Sequence, residues 1–218
     1  GIYWSSPQRM EFVHGGDVKL PMFYPQACKL GGNWYITSWQ GVYLWRAISF
    51  PAKWEAVGQI TDATPMHPTL SETSDQHAIL LTGDAAHGTL RAFISPLDKV
   101  HETPWAEHPQ SPVVSGFDRI APAGPLFKDN DGTLWRPAQD IRVVYGRCVR
   151  AWRVDSITST DYKEEHNISK AVFIGGATGV GSDAMAMHLV SSTNRADGSI
   201  VGIVDGLSLQ DVWPLFVD

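Results

Sequence analysis

The sequence predicts an all-β fold, specifically a five-bladed β-propeller. Three observations favour it: nine Trp in 218 residues, 20 Gly and 14 Pro between short apolar runs, and a recurrence of those runs about every 45 to 50 residues. Wide aromatic side chains suit pleated surfaces, while Gly and Pro end strands in turns. Four antiparallel strands per repeat is the pattern of propeller blades, which bury their faces by stacking on neighbours. A β-sandwich is the alternative, but it lacks a four-strand repeat.

The first round of predicted strands lies in the N-terminal third of the chain. Its apolar runs cover residues 34–39, 42–47 and 54–60, and turn residues such as Gly31-Gly32-Asn33 and Phe50-Pro51 precede them. Short runs bounded in this way are typical of a meander of antiparallel strands.

Two further rounds follow with the same spacing. The second round has apolar runs at 68–70, 77–82, 90–95 and 105–108. The third has runs at 123–127, 133–137, 147–154 and 162–165, with a turn at 129–132. This recurrence is the main reason for predicting a propeller.

The last round is short, with runs at 183–192 and 198–205. We expect strands within residues 2–13 to complete this blade. No linker of low complexity divides the chain, so residues 1–218 are interpreted as a single domain.

Charge excludes several classes of partner. The formal net charge is −6 and Lys and Arg never cluster, so the basic footprint of a nucleic-acid binder is missing. Charged residues are only 18% of the chain, and no apolar run of about 18 residues occurs, so neither disorder nor a membrane span is predicted.

We expect neither a metal nor a cofactor. The eight His and two Cys contain no His-x-x-x-His or Cys-x-x-Cys pair. Cys28 and Cys148 are interpreted as free core thiols, with a single bridge between them as the alternative. The first residues lack the pattern of a signal peptide; the compartment stays open, with the cytoplasm favoured.

Several segments together carry a family resemblance. They are residues 105–109, 111–114, 122–124, 131–140, 145–146 and 157–164. The chain resembles, over roughly residues 20 to 206, the N-terminal propeller domain of glucosamine inositolphosphorylceramide transferases and their bacterial relatives. Its most specific piece is Arg136-Pro137-Ala138-Gln139-Asp140 followed by Tyr145-Gly146. That domain is similar in fold to the five-bladed propellers of family 43 glycoside hydrolases.

The sequence departs from those hydrolases at two positions. Where such relatives often carry Asp-Pro at the start of a blade, this chain has Tyr24-Pro25 and His67-Pro68. The resemblance implies that the replaced aspartates are the catalytic base and its helper. A family 43 mechanism is therefore in doubt.

The candidate catalytic residues are three aspartates near predicted strand starts: Asp140, Asp118 and Asp62. Inverting glycoside hydrolysis needs two carboxyl groups about 6.5 to 9.5 Å apart, so any two that converge would suffice. Strand alternation places Arg136 and Asp140 on one face, where they could meet. For Asp140 a structural ion pair between blades is the alternative.

The candidate substrate-binding residues are polar or aromatic side chains expected at one mouth of the central channel. They are Tyr24, His67, Arg119, Arg136, Gln139, Tyr145 and His188. Planar donors and acceptors with aromatic faces are what sugar rings require.

We therefore expect a carbohydrate-active propeller that binds or acts on a glycan or sugar conjugate, with glycoside hydrolysis as a possible reaction. The first alternative is a non-catalytic glycan-recognition domain that guides a glycosyltransferase. The second and simplest alternative is a propeller that binds only other proteins. The expected ligand is a carbohydrate, with association to a glycosyltransferase domain implied by the resemblance.

Overall fold

The computed structural model describes residues 3–5, 12–14, 26–38, 42–63, 65–129, 131–142, 148–173, 184–194 and 200–208. These residues form antiparallel β-sheets, with one short 3-10 helix at Leu97–Lys99. Two strands at the N-terminus, β1 (Tyr3–Ser5) and β2 (Phe12–His14), pair with each other. The all-β prediction is confirmed.

The first blade is a four-stranded meander. It contains β3 (Gln26–Leu30), β4 (Asn33–Thr37), β5 (Tyr43–Ser49) and β6 (Lys53–Gln59), hydrogen-bonded in that order. Gly31 and Gly32 form the tight β3–β4 turn, and both have positive φ, which glycine adopts without a steric penalty. The three predicted apolar runs fall on β4 to β6, whereas β3 lay outside them.

The second blade repeats the meander with a divided outer strand. It contains β7 (Met66–Glu72), β8 (His77–Asp84), β9 (Thr89–Pro96), β10 (Ala106–Glu107) and β11 (Val114–Ser115). Both β10 and β11 pair with β9, at opposite ends of it. All four predicted runs of this round contain strand residues.

The third blade has a divided inner strand. It contains β12 (Ala121–Pro122), β13 (Phe127–Lys128), β14 (Leu134–Gln139), β15 (Val149–Ile157) and β16 (Tyr162–Phe173). Both β12 and β13 pair with β14. The predicted run 123–127 is largely not a strand, because Gly124 has a positive φ and Pro125 lacks the N–H that a ladder requires.

A final hairpin follows, formed by β17 (Ala184–Asn194) and β18 (Ile200–Ser208). β17 packs against β14 and β15 of the third blade. The strands within residues 2–13 do form a hairpin; that this hairpin completes the last blade stays a prediction, as does the count of five blades.

Two apolar clusters hold adjacent blades together. The cluster between the first and second blades contains Leu30, Tyr35, Val42, Leu44, Ile60, Leu70, Ala78, Leu80, Phe93, Val100 and Trp105. The cluster between the second and third blades contains Ile79, Leu81, Leu90, Ala92, Val114, Val154, Ile157 and Tyr162. Burial of both sheet faces against neighbours is what the propeller arrangement provides, so the chain has a β-propeller fold rather than a sandwich.

Cys28 and Cys148 are both free thiols, as expected, and both are partly buried. Burial, with the negative charge of Glu72, raises the pKa of the Cys28 thiol to about 12. Among the described residues, no helix has the length and hydropathy needed to span a bilayer.

Candidate functional site

The first strands of the three blades begin at one end of the fold. β3 packs against β7, and β7 packs against β12. Thr69 of β7 donates a hydrogen bond to Gln26 of β3 at 3.4 Å, and Ala121 of β12 pairs with Gln139 at the end of β14. We call this end the axial mouth; the residues that define it are His67, Asp118, Arg119, Gln139, Asp140, Arg142 and Arg150.

Asp140 follows β14 and is held by two arginines. Its side chain is only 3% exposed. Arg142 Nε and Nη2 donate to its carboxylate at 2.9 and 2.6 Å, and Arg150 Nε donates at 3.2 Å. The hydrogen bonds from Arg142 lower the pKa of the Asp140 carboxyl to about 2. Asp140 is therefore ionised at neutral pH.

Asp118 approaches the same arginine. The backbone N–H of Ile141 donates to the carbonyl of Phe117 at 2.9 Å, which fixes the segment before Asp118 against the end of β14. The pKa of Arg142 is raised, first by its hydrogen bonds to Asp140 and also by the charge of Asp118. Of the two aspartates, only Asp140 bonds this guanidinium group, and Asp118 acts on it through its charge.

Arg119 is positioned by an ion pair and an aromatic ring. Its Nε lies 3.4 Å from Asp118 Oδ1, and its guanidinium carbon lies 4.0 Å from the ring centroid of Trp152 on β15. Stacking of this kind orients a guanidinium and restricts its rotamers. Arg119 is therefore a largely buried positive charge that Asp118 and Trp152 hold in place.

Arg136 does not meet Asp140. Its side chain is fully buried, and its Nε and Nη2 donate to both carboxylate oxygens of Glu164 on β16 at 2.6 and 2.9 Å. Tyr162 donates its hydroxyl to Glu164 at 2.9 Å. The expectation of an Arg136–Asp140 contact is wrong because Arg142 and Arg150 reach Asp140 first, while the long Arg136 side chain extends across β15 to β16.

Two mouth residues combine burial with unusual local structure. Gln139 is fully buried, and neither atom of its amide has a hydrogen-bond partner among the described residues. His67 is 2% exposed and has a left-handed φ of 48° at a register shift in β7 between Met66 and Thr69. Bulges and positive φ at non-glycine residues cluster at functional sites, where they redirect a side chain.

The remaining candidate residues lie elsewhere or outside the described part. Asp62 is exposed in the loop after β6, where its charge contributes to the raised pKa of Arg91, behind the larger effect of the Arg91–Glu107 hydrogen bonds. Tyr24 and Tyr145 lie outside the described residues, and the structure describes only the backbone of His188, within β17.

The axial mouth carries charged side chains that can form hydrogen bonds. The described residues contain no group of three or more His, Cys, Asp or Glu side chains that could hold an ion. What they offer instead is an ionised carboxylate and guanidinium groups with several N–H donors each. This combination can accept and donate hydrogen bonds to hydroxyl or anionic groups.

Four residues of this region are not among the predicted site residues: Arg142, Arg150, Trp152 and Glu164. Arg142 follows Asp140 by two residues, which is a local signal that could have been used. Arg150, Trp152 and Glu164 depend on the β14–β15–β16 register, which places Arg150 opposite Ala138, Trp152 opposite Arg136 and Val154 opposite Glu164.

Comparison with known proteins gives a family. The model of the family described as "Glucosamine inositolphosphorylceramide transferase 1, N-terminal" matches residues 20–207. Two rice proteins, from Oryza sativa subsp. indica and subsp. japonica, are both named glucosamine inositolphosphorylceramide transferase 1 and are 27% identical over 175 residues. The match covers 75% of this chain but only 22% of each rice protein.

The fold is also similar to that of a solved glycoside hydrolase. The crystal structure of an α-L-arabinofuranosidase from Lactobacillus brevis matches with a TM-score of 0.50 and 13% sequence identity, covering 85% of this chain and 66% of the hydrolase. At this identity the similarity concerns the fold alone.

Proposed function

Since the chain belongs to the family of the glucosamine inositolphosphorylceramide transferase 1 N-terminal domain, we propose that it recognises a glycan on behalf of a glycosyltransferase. The ligand binds at the axial mouth. The observation that carries this proposal is the ionised Asp140 carboxylate between Arg142 and Arg150, with Arg119 stacked on Trp152 of the same blade.

The mouth suits a sugar linked to an anionic group. Arg142 is half exposed, and a guanidinium has five N–H donors, of which Asp140 accepts only part. Arginine binds phosphate in a planar, two-point geometry. The names of the rice relatives include glucosamine and inositolphosphorylceramide. We therefore propose an inositol phosphate carrying a sugar as the ligand class.

Recognition is supported better than hydrolysis. Inversion of a glycosidic bond requires one carboxyl group that is protonated near neutral pH. The depressed pKa of Asp140 and its two arginine partners make it a poor general acid, and Asp118 is itself paired with Arg119. Arg136 has no exposed surface, so in this proposal it supports blade packing and does not touch the ligand.

The test is isothermal titration calorimetry of the whole chain, with myo-inositol 1-phosphate and with glucosamine as separate ligands. Arg142→Gln should weaken phosphate-dependent binding about tenfold, the loss expected for hydrogen bonds to a charged group. Arg46→Gln is the matched control, because Arg46 is similarly exposed (44% against 51% for Arg142), pairs with Glu55 and lies on the first blade away from the mouth.

Two outcomes would contradict the proposal. Equal affinities for the two variants would show that the mouth does not hold the phosphate. Turnover of p-nitrophenyl glycosides by the wild-type chain, abolished by Asp140→Asn, would replace recognition with glycoside hydrolysis.

A further inference from the structure

A cleft lies between the second and third blades, at the end opposite the axial mouth. It has a volume of about 650 Å³, within the range of roughly 300 to 1,000 Å³ that small-ligand sites occupy. Its walls come from the end of β7, the β13–β14 turn and the end of β15.

The cleft and the mouth use opposite ends of the same strands. β14 begins at the cleft with Leu134 and ends at the mouth with Gln139, which Asp140 follows. At about 3.3 Å per residue, the six steps from Leu134 to Asp140 separate the two sites by roughly 20 Å. A ligand in the cleft therefore cannot contact the Asp140 cluster.

The charges that line the cleft balance. The charged residues of the lining are two cations, Lys128 and Arg153, and two anions, Glu72 and Asp155. Arg153 is already paired with Asp155 at 2.8 Å and with Glu165, outside the lining, at 2.7 Å; Glu72 accepts a hydrogen bond from Gly31 N at 2.6 Å. Lys128 is exposed and makes no ion pair with another described residue. With no net charge, the lining does not select strongly for an anion or a cation.

The rest of the lining mixes hydroxyl and aliphatic groups. Thr133 and Ser156 provide hydroxyls that both donate and accept, and Leu134 provides a partly buried aliphatic side chain. Val154 and Ile157 border the cleft but are each only 5% exposed, because they pack in the apolar cluster between the blades. Sugar rings present C–H groups on a face and hydroxyls around the edge. We infer that this cleft, which we call the interblade cleft, binds a neutral sugar unit of a glycan.

This inference goes beyond the proposed function, because the interblade cleft is a second site with a different ligand. The two sites together would let one domain hold an extended glycan conjugate, with its anionic headgroup at the mouth and an uncharged unit at the cleft. Binding at either site can be tested, and can be absent, without affecting the other proposal.

The test is calorimetric titration of the whole chain with three neutral probes: cellotriose, xylotriose and chitotriose. Thr133→Trp should block the cleft and lower affinity for the bound probe at least tenfold. Ala86→Trp is its control, because Ala86 is exposed in the β8–β9 hairpin at the mouth end. Should Thr133→Trp fail to fold, Lys128→Met should lower affinity about fivefold, with Lys99→Met as the control lysine, which is 54% exposed outside the cleft.

The inference is overturned if none of the three probes binds, if neither cleft variant alters affinity, or if Arg142→Gln at the mouth abolishes the binding. The last result would assign neutral sugars to the mouth and leave the proposed function standing. If the wild type does not bind myo-inositol 1-phosphate but does bind a neutral probe at the cleft, the proposed function alone is refuted.

Discussion

Replacement of Glu164 by glutamine measures how far the third blade depends on its buried ion pair. Glu164 and Arg136 have side chains that are 1% and 0% exposed, and two hydrogen bonds of 2.6 and 2.9 Å join them. Glutamine keeps the shape of the side chain but leaves the Arg136 charge buried without a counter-ion. Breaking a buried pair from one side costs about 3 to 5 kcal/mol of unfolding free energy.

For a domain of this size, that loss lowers the melting temperature by about 6 to 20 °C. The matched control is Glu165→Gln on the same strand. Glu165 pairs with Arg153 at 2.7 Å, but the two side chains are 29% and 37% exposed. A pair of that exposure contributes about 0 to 1 kcal/mol.

Urea unfolding at pH 7, followed by tryptophan fluorescence, gives both free energies. Equal losses of unfolding free energy for Glu164→Gln and Glu165→Gln would refute the claim that burial makes the Arg136–Glu164 pair costly to break, because the prediction rests on the different burial of the two pairs. The double variant Arg136→Met with Glu164→Leu should be more stable than Glu164→Gln, since it removes both charges.

Three further outcomes are expected. The folded-state pKa of Asp140 is depressed to about 2, so the ionised carboxylate stabilises the fold fully above its ordinary pKa near 3.8 and loses this effect as pH falls towards 2. The difference in unfolding free energy between wild type and Asp140→Asn, measured by urea unfolding, should therefore shrink only between about pH 3.8 and pH 2. Gly83→Ala places a Cβ 2.6 Å from the carbonyl oxygen of Ile120, and should cost about 1 to 3 kcal/mol in the same assay; an unchanged midpoint would mean that β12 can move away. In a Cys148→Ser background, the raised pKa of Cys28 should lower its thiolate fraction at pH 8 about 1,000-fold relative to an unperturbed thiol, and rapid labelling by Ellman's reagent would contradict this.

Local patterns predicted the strands because each strand carries its own signal. The bounds of the predicted runs 77–82 and 90–95 differ from those of β8 and β9 by at most two residues, because turn residues end each apolar run on both sides. β3 was missed because Gln26–Leu30 alternates partly buried and exposed residues without a continuous apolar run.

The candidate site was predictable only in part. Asp118, Arg119, Gln139 and Asp140 lie together at the axial mouth, because inner-strand starts converge in a propeller. Asp62 does not join them, since its loop places it by Arg91 on the second blade's third strand. The roles assigned to these residues stay predictions.

The sequence by itself determined the β-propeller fold and the family, because the strand period, the turn residues and the motif at 136–140 are all visible in short contiguous stretches of sequence. Only the tertiary structure decided which charges pair. Arg136 bonds Glu164, 28 residues away, and Asp140 bonds Arg150, because hydrogen-bond register across three strands brings those side chains together. Spacing along one strand specifies a face, but the partner on that face belongs to another strand.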